Sequence, residues 1–180
     1  MKGKFLFVAV ASLGLLMSAP HPAAAQGQSA SHPNPVGTWL LDVTFLSGNP
    51  PPFKEMITLH AGGTVTETNA TLNAAAGSLP PPFNLVGSDG QGHWKRLPGG
   101  MIGVSLTKLV FCGPASAAFC APGQEGQQLG YLRLRFKARV SGNSLTIAAT
   151  DSSTELVFGP DPNVPGIDFG PAASTGFRLH

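Results

Sequence analysis

Residues 131–141 read YLRLRFKARVS, and this stretch decides the fold class. Every second position carries an apolar side chain: Leu132, Leu134, Phe136, Ala138 and Val140. The positions between them carry a tyrosine and four basic side chains: Tyr131, Arg133, Arg135, Lys137 and Arg139. Successive side chains point to opposite faces of a β-strand, whereas a helix mixes the two sets. The stretch therefore predicts a long, half-buried strand with one apolar and one basic face.

The same two-residue alternation recurs along much of the chain. It predicts further strands at Val36–Phe45, Phe53–Leu59, Thr64–Thr68, Gly92–Leu97, Met101–Phe111, Leu145–Thr150, Thr154–Phe158 and Ser174–His180. The chain also contains 23 glycines and 17 prolines, which exclude a helix bundle. Residues 69–90 and 111–128 are less regular, and we expect long loops there that form rims or lids.

Short turns join most of these segments, which favours an all-β fold, either a sandwich or a closed meander barrel. A barrel pairs each strand on both sides and leaves no exposed edge on a strand as long as 131–141. We therefore predict an antiparallel up-and-down β-barrel of about eight strands, without a substantial helix in the mature chain.

The N-terminus has the three parts of a secretory signal peptide. Lys2 and Lys4 precede an apolar run at Phe5–Met17, and Ala23–Ala25 provide the small residues of a cleavage site. This run is too short to remain as a transmembrane helix, and no later segment is long and apolar enough for one. We predict a signal peptide at 1–25, a flexible tether at 26–35 and a single barrel domain at 36–180. The protein is then secreted or periplasmic, with no membrane insertion after cleavage.

Charge argues against two classes of partner. After residue 25 the chain has nine basic and nine acidic side chains, so we expect no nucleic-acid or anionic-membrane partner. The basic row Arg133, Arg135, Lys137 and Arg139 has two interpretations. It binds an anionic ligand, or it is the solvated outer face of a barrel strand, paired across to Asp or Glu.

Cys112 and Cys120 are the only cysteines in the sequence. In an oxidising compartment a close, even pair most simply forms one disulfide. A metal site would need further soft ligands, and the segment between them holds no histidine and no third cysteine. We therefore predict a structural Cys112–Cys120 disulfide, no metal site and no cofactor.

Two features at the ends of the predicted domain resemble lipocalins and the wider calycin group of small barrels. Gly37-Thr38-Trp39 opens the first strand and is similar to the Gly-x-Trp signature of that group, and Arg178 lies in the last strand. The resemblance implies a lipocalin-like barrel in which Trp39 closes one end and the Arg178 guanidinium packs over its indole. Such a pair has a structural role.

Glu67 is the carboxylate whose position is most informative. It shares one face of residues 64–69 with Val65 and Asn69, while threonines occupy the other face. If the Val65 face points inward, Glu67 lies inside an apolar barrel with a raised pKa; if the threonine face does, Glu67 is solvated. Trp94 is expected in the core or in a pocket wall. The candidate ligand-binding residues are therefore Trp94, Glu67 and Asn69, and Glu67 is the one candidate catalytic residue.

Three functions remain open at this stage. The first is an exported, non-enzymatic barrel that holds a small apolar molecule in its cup, because about eight strands can enclose one ligand. The second is an isomerase or cyclase of an apolar substrate, with Glu67 as the acid/base. The third is a structural or interaction domain with a filled core, which a cavity too small for a drug-sized molecule would favour.

Overall fold

The structure is a computed structural model, and it describes residues 33–70, 72, 85–113, 119–161 and 163–180. The predicted signal peptide and most of the predicted tether lie outside the described residues. Most of the predicted loop at 69–90 and the middle of the loop at 111–128 lie outside them as well.

The described residues contain eleven strands. They are β1 (Gly37–Phe45), β2 (Phe53–Leu59), β3 (Thr64–Asn69), β4 (Leu85–Gly87), β5 (Gly90–Arg96), β6 (Met101–Cys112), β7 (Gln128–Ser141), β8 (Ser144–Ile147), β9 (Ser152–Phe158), β10 (Ile167–Asp168) and β11 (Ala172–Arg178). Every strand that the alternation predicts is present, with its ends within three residues of the predicted ones.

Eight of these strands close into an antiparallel barrel. The order around it is β1, β2, β3, β5, β6, β7, β8 and β11, and β11 pairs with β1 again. Closure depends on β7, which pairs with β6 along nearly its whole length. The predicted all-β, antiparallel barrel is thus confirmed, and the helical content is limited to two three-residue 3₁₀ segments in the described part of the chain.

The barrel departs from a plain meander after β8. β8 pairs with Arg139–Ser141 and β9 pairs with Gly130–Phe136 on the same edge of β7, so the two are one antiparallel strand that a 3₁₀ turn at Ala149–Asp151 interrupts. The strand predicted at Leu145–Thr150 therefore ends early, at Ile147. Beyond the turn, Ser152 Oγ donates to the Ala172 carbonyl at 2.7 Å and accepts from the Ala172 amide at 2.8 Å. These bonds hold β9 beside β11.

Two short strands lie in segments for which no strand is predicted. β4 falls inside the predicted loop at 69–90, and β10 falls in the Pro/Gly-rich segment before the last strand. They consist of three and two residues, and each exists because a longer strand pairs with it: β6 with β4, and β9 with β10. Such short pairings leave no periodic signal in the sequence.

Trp39 closes the end of the barrel at which β1 begins, and it is fully buried. The Arg178 guanidinium lies over its indole, with Cζ 4.7 Å from the ring centroid, which is the contact that the resemblance implies. Arg178 also donates to the carbonyl of Val36 at 3.1 Å and to that of Asn34. Trp39 Nε1 donates to the carbonyl of Pro35 at 2.9 Å. The last strand thereby fixes the segment that precedes β1.

Two apolar clusters fill the barrel. The larger cluster surrounds Trp39 and includes Leu41, Ile57, Leu59, Val65, Leu106, Phe136 and Leu145. The smaller cluster lies at the other end and consists of Leu72, Leu85, Val110, Cys112, Cys120 and Leu156. Cys112 and Cys120 form the predicted disulfide, with their Cα atoms 5.9 Å apart. Along β6, buried Leu106 belongs to one cluster and buried Val110 to the other, with Lys108 between them.

Candidate functional site

Four polar side chains lie inside the barrel between the two apolar clusters, and we call them the polar layer. They are Glu55 on β2, Glu67 and Asn69 on β3, and Lys108 on β6, each 7% exposed or less. Strand alternation accounts for their direction, because Val65 on β3 and Leu106 on β6 are buried and side chains two residues apart share a face. The Val65 face therefore points inward, so the first of the two alternatives for Glu67 holds and its carboxylate is buried.

Glu67 and Lys108 form an ion pair in the centre of this layer. Lys108 Nζ lies 3.0 Å from Oε1 and 2.8 Å from Oε2 of Glu67. The Asn69 side chain hydrogen-bonds to Glu67, and its Oδ1 accepts the Leu72 amide at 2.8 Å. Gly90 leaves room for the carboxylate, since a Cβ at that position would stand 2.5 Å from Glu67 Oε2. The surrounding chain thus fixes the position of Glu67 from several sides.

Glu55 is the second carboxyl group in the layer. Its cross-strand partner on β3 is Asn69. Two residues further along β2, Ile57 is the cross-strand partner of Glu67. Burial, followed by repulsion from Glu67, raises the pKa of Glu55 from 4.5 to about 8, although Lys108 acts in the opposite direction. At neutral pH Glu55 is therefore a neutral carboxylic acid, a hydrogen-bond donor inside the barrel.

The two carboxyl groups differ because one lysine faces both. Burial also raises the pKa of Glu67, and the Lys108 charge and the hydrogen bonds from Lys108 and Asn69 oppose this rise without cancelling it. One ammonium can neutralise one buried carboxylate, and burying a second, unpaired charge is strongly unfavourable. The favoured state is a Glu67–Lys108 ion pair beside a protonated Glu55. Two carboxyl groups of different protonation are the arrangement that acid–base catalysis uses.

An apolar pocket adjoins the polar layer at the end of the barrel opposite Trp39. It is lined by Phe45, Pro50, Phe53, Asn69, Leu72, Leu85, Val110, Leu132, Leu134, Thr154, Leu156 and Phe169. Asn69 belongs to both the pocket and the polar layer, so the pocket has an apolar wall and a polar corner. We call this the mouth pocket.

The mouth pocket is small. Its cavity measures about 50 Å³, and a second cavity, lined in part by Glu55, Leu134 and Ser174, measures about 30 Å³. Pockets that enclose a drug-sized ligand measure roughly 300–1,000 Å³. These volumes favour a filled core over a cup that encloses a whole ligand of that size, and they leave room only for part of a ligand. The space fits about two water-sized groups, which is the tip of an apolar chain or ring.

A polar depression of about 250 Å³ lies on the other side of Asn69. It is lined by Thr68, Asn69, Leu72, Gly87, Ser88, Asp89 and Lys108. Asn69 and Leu72 thus separate an apolar pocket from a polar one, and Lys108 borders the polar one. The depression brings solvent close to the Glu67–Lys108 pair.

Trp94 is not among the residues that line the mouth pocket. It packs, half-buried, against the larger apolar cluster, and its Nε1 donates to the His60 carbonyl at 2.9 Å. His60 follows Leu59, whose partner on β1 is Gly37, so Trp94 lies at the Trp39 end of the barrel. The structure brings Glu67 and Asn69 together and leaves Trp94 apart from them.

Sequence reasoning missed Lys108 and Glu55, although each leaves a signal. Lys108 interrupts an apolar series at every second position of β6, between Leu106 and Val110. Glu55 extends the inward series of Ile57 and Leu59 on β2. A charged residue in register with a buried apolar face is a candidate for a buried ionisable group.

No protein-family model matches the sequence, and no curated protein or solved structure matches it significantly. The closed eight-stranded barrel is consistent with a calycin-like fold, while nothing assigns the chain to the lipocalins in particular. None of the helical segments in the described ranges has the length and hydropathy that a membrane crossing requires. The same ranges contain no group of three or more His, Cys, Asp or Glu side chains that could hold a metal ion.

Proposed function

We propose that this protein binds the apolar end of a small molecule in the mouth pocket, with Asn69 as the polar contact at its inner corner. The observation that supports this proposal is the composition of the pocket wall, in which ten of the twelve lining residues are apolar. Ligand pockets combine such apolar walls with a few fixed polar groups. Asn69 is fixed, because its side chain contacts both Glu67 and the Leu72 amide.

The volume of the pocket limits the ligand. Each buried methylene contributes about 0.8 kcal/mol, so an inserted tip of two methylenes contributes only about 1.6 kcal/mol. The remainder of the ligand must then contact the half-buried residues of the pocket wall, which include Phe53, Leu132 and Phe169. A linear aliphatic chain is one ligand whose tip is small enough for this volume.

We also propose that the protein acts outside the cytoplasm. The Cys112–Cys120 disulfide supports this, because disulfides persist in oxidising compartments and are rare in the cytosol. The N-terminal sequence, with its basic, apolar and small-residue parts, agrees with export.

Titration with 1-octanol, followed by NMR of the leucine and valine methyl groups, tests the binding proposal. We expect saturable shifts at the methyl groups of the mouth pocket. Leu134→Phe fills the cavity and should weaken binding by about tenfold, the loss of roughly two buried methylenes. Leu109→Phe is the matched control, since Leu109 lies exposed on β6 and does not line the pocket.

Two outcomes would contradict ligand binding. If 1-octanol shifts no pocket methyl up to its solubility, the domain has a filled core and a structural or interaction role. If Leu134→Phe and Leu109→Phe bind 1-octanol equally well, the alcohol binds outside the mouth pocket. In either case the mouth pocket is a gap in the packing of the core and not a binding site.

The polar layer favours a second candidate function, an isomerase or cyclase that uses acid–base chemistry. Glu67 would take the proton from the carbon between the carbonyl group and the double bond of a β,γ-unsaturated ketone and return it to the γ carbon, while Lys108 and Asn69 hold its carboxylate in place. The test is a Glu67→Gln variant with the Asp42→Asn variant as control, because Asp42 lies exposed on the outer face of β1. Catalysis predicts that only Glu67→Gln abolishes conversion of a β,γ-unsaturated octenone into its α,β isomer while 1-octanol still binds. Unchanged turnover in Glu67→Gln, or no turnover by the wild type, would contradict it.

A further inference from the structure

A concave surface on the outside of the barrel is lined by three cations and one carboxylate, whereas the chain after residue 25 has equal numbers of basic and acidic side chains. Its volume is about 620 Å³, and it opens over the outer faces of β5, β6 and β7. Its polar lining includes His93, Lys95, Ser105, Arg135, Lys137 and Asp151. We call this surface the basic groove. The sheet separates it from the mouth pocket, whose lining shares none of these residues.

Strand register builds the groove in two rows. In the first row His93 on β5 faces Ser105 on β6, and Ser105 faces Arg135 on β7. In the second row Lys95 faces Gly103, and Gly103 faces Lys137. Neighbouring strands are about 4.8 Å apart, so the two basic walls stand about 9.6 Å apart.

Small residues on β6 form the floor between these walls. Gly103 has no side chain and Ser105 has a short one, whereas three of the four flanking positions on β5 and β7 carry the long cations Lys95, Arg135 and Lys137. Ser105 and Ser153 add hydroxyl groups to the lining. Both are cross-strand partners of Arg135. The result is a shallow trough with hydrogen-bond donors on its floor and cations on both sides.

Carboxylates neutralise little of this charge. Among the described residues, no ion pair involves Lys95 or Arg135, and both side chains are exposed. Asp151 is the single acidic residue of the lining, and its Oδ1 lies 3.9 Å from Lys137 Nζ. By contrast, Arg133 on the same strand is paired with Glu155 and lies outside the groove. In the basic row of β7, Arg133 is therefore neutralised by Glu155, whereas Arg135 is available to bind an anion in the groove.

We propose that the basic groove binds a phosphate- or sulfate-bearing small molecule, with the anion seated over Gly103 and Ser105. Arg135 presents a planar fork of donors that matches two anionic oxygens at once, while Lys95 and Lys137 act as point charges. An anion between the walls also offsets the Coulomb repulsion among Lys95, Arg135 and Lys137. A diphosphate spans the distance between the walls better than a single phosphate does.

Isothermal titration with inorganic pyrophosphate at low ionic strength tests this proposal. We expect one saturable site, which salt weakens, because screening acts on exposed charges. Arg135→Gln and Lys95→Gln should each weaken binding by about tenfold, the loss of one charge-assisted hydrogen bond. Arg139→Gln removes the same charge from the same face of β7 outside the groove, and it should change the affinity less than about twofold.

A parallel titration with glucose 6-phosphate separates two sources of the anion. Tighter binding of glucose 6-phosphate identifies a phosphate ester as the ligand class, and tighter binding of pyrophosphate identifies a free inorganic anion. The proposal is overturned if neither anion saturates, or if Arg139→Gln weakens binding as much as Arg135→Gln does. Binding of 1-octanol should be the same in Arg135→Gln, Lys95→Gln and Arg139→Gln as in the wild type. A negative result for the basic groove therefore does not bear on the proposal for the mouth pocket.

Discussion

At the scale of single residues, Glu55 shows how one buried group can make stability depend on pH. Its pKa is raised from 4.5 to about 8, first by burial and then by Glu67. The folded state therefore binds a proton that the unfolded state releases between these two pH values. Stability is highest below about pH 4.5 with respect to this group, and it falls as the pH rises toward 8.

The Glu55→Gln variant tests this linkage. Between about pH 5 and pH 8 the wild type should lose up to about 1.4 kcal/mol of unfolding free energy per pH unit, and the variant should lose much less. Glu67 and Lys108 are the charged groups that act on Glu55, and both remain in the variant. Urea unfolding at several pH values measures both slopes. Equal slopes would mean that Glu55 is ionised in the folded protein at neutral pH.

Gly90 is a second residue whose identity the polar layer requires. An alanine Cβ would stand 2.5 Å from Glu67 Oε2 and 2.9 Å from Leu106 Cδ1, so the Glu67–Lys108 pair must move. We expect Gly90→Ala to destabilise the fold by about 1–3 kcal/mol, as overpacking does. Gly62→Ala is the control, because its Cβ would meet nothing within 4 Å. Urea unfolding that shows the same stability for both variants would contradict the packing described around Glu67.

At the scale of elements, the long strands could be predicted because each carries its own two-residue alternation. β7 is the clearest example, since its buried Phe136, Ala138 and Val140 alternate with exposed cations. β4 and β10 could not be predicted, because their two or three residues are strands only through a partner. The interruption between β8 and β9 also depends on tertiary contacts, such as the hydrogen bonds between Ser152 and Ala172.

The Cys112–Cys120 disulfide fastens the segment after β6 to the smaller apolar cluster. The link closes a loop with a sequence separation of eight, and the chain-entropy model gives a contribution of about 2–3 kcal/mol for a loop of this size. A Cys112→Ser, Cys120→Ser double variant should lose that much unfolding free energy in urea. Reduction of the wild type with dithiothreitol should give the same loss. A double variant as stable as the oxidised wild type would show that the link is not structural.

At the scale of the whole molecule, closure of the barrel joins the two ends of the described chain. Arg178 stacks on Trp39 and donates to two carbonyl groups that precede β1. The resemblance to calycin barrels pointed to this pair from the sequence alone. Alternation indicated parts of the polar layer and the basic groove, namely an inward Glu67 as one alternative and the basic row of β7. Their assembly could not be predicted, because it arises from the register of three or more strands, which alternation leaves undetermined.

Replacing the guanidinium at this junction should weaken closure. Arg178→Lys keeps the charge and loses the forked donor and the stacked plane, so we expect a loss of about 1–2 kcal/mol in thermal or urea unfolding. Arg139→Lys, on the exposed face of β7, should have no measurable effect. If the two variants are equally stable, Arg178 does not hold the barrel closed.

The central claim of this account is that the mouth pocket receives an apolar chain end beside Asn69. Intermolecular nuclear Overhauser effects between the terminal methyl of 1-octanol and the protein test it most directly. The account predicts contacts to the methyl groups of Val110, Leu134 and Leu156, which line the pocket. Contacts confined to exposed apolar side chains such as Met56 and Phe177 on the outside of the barrel would contradict it.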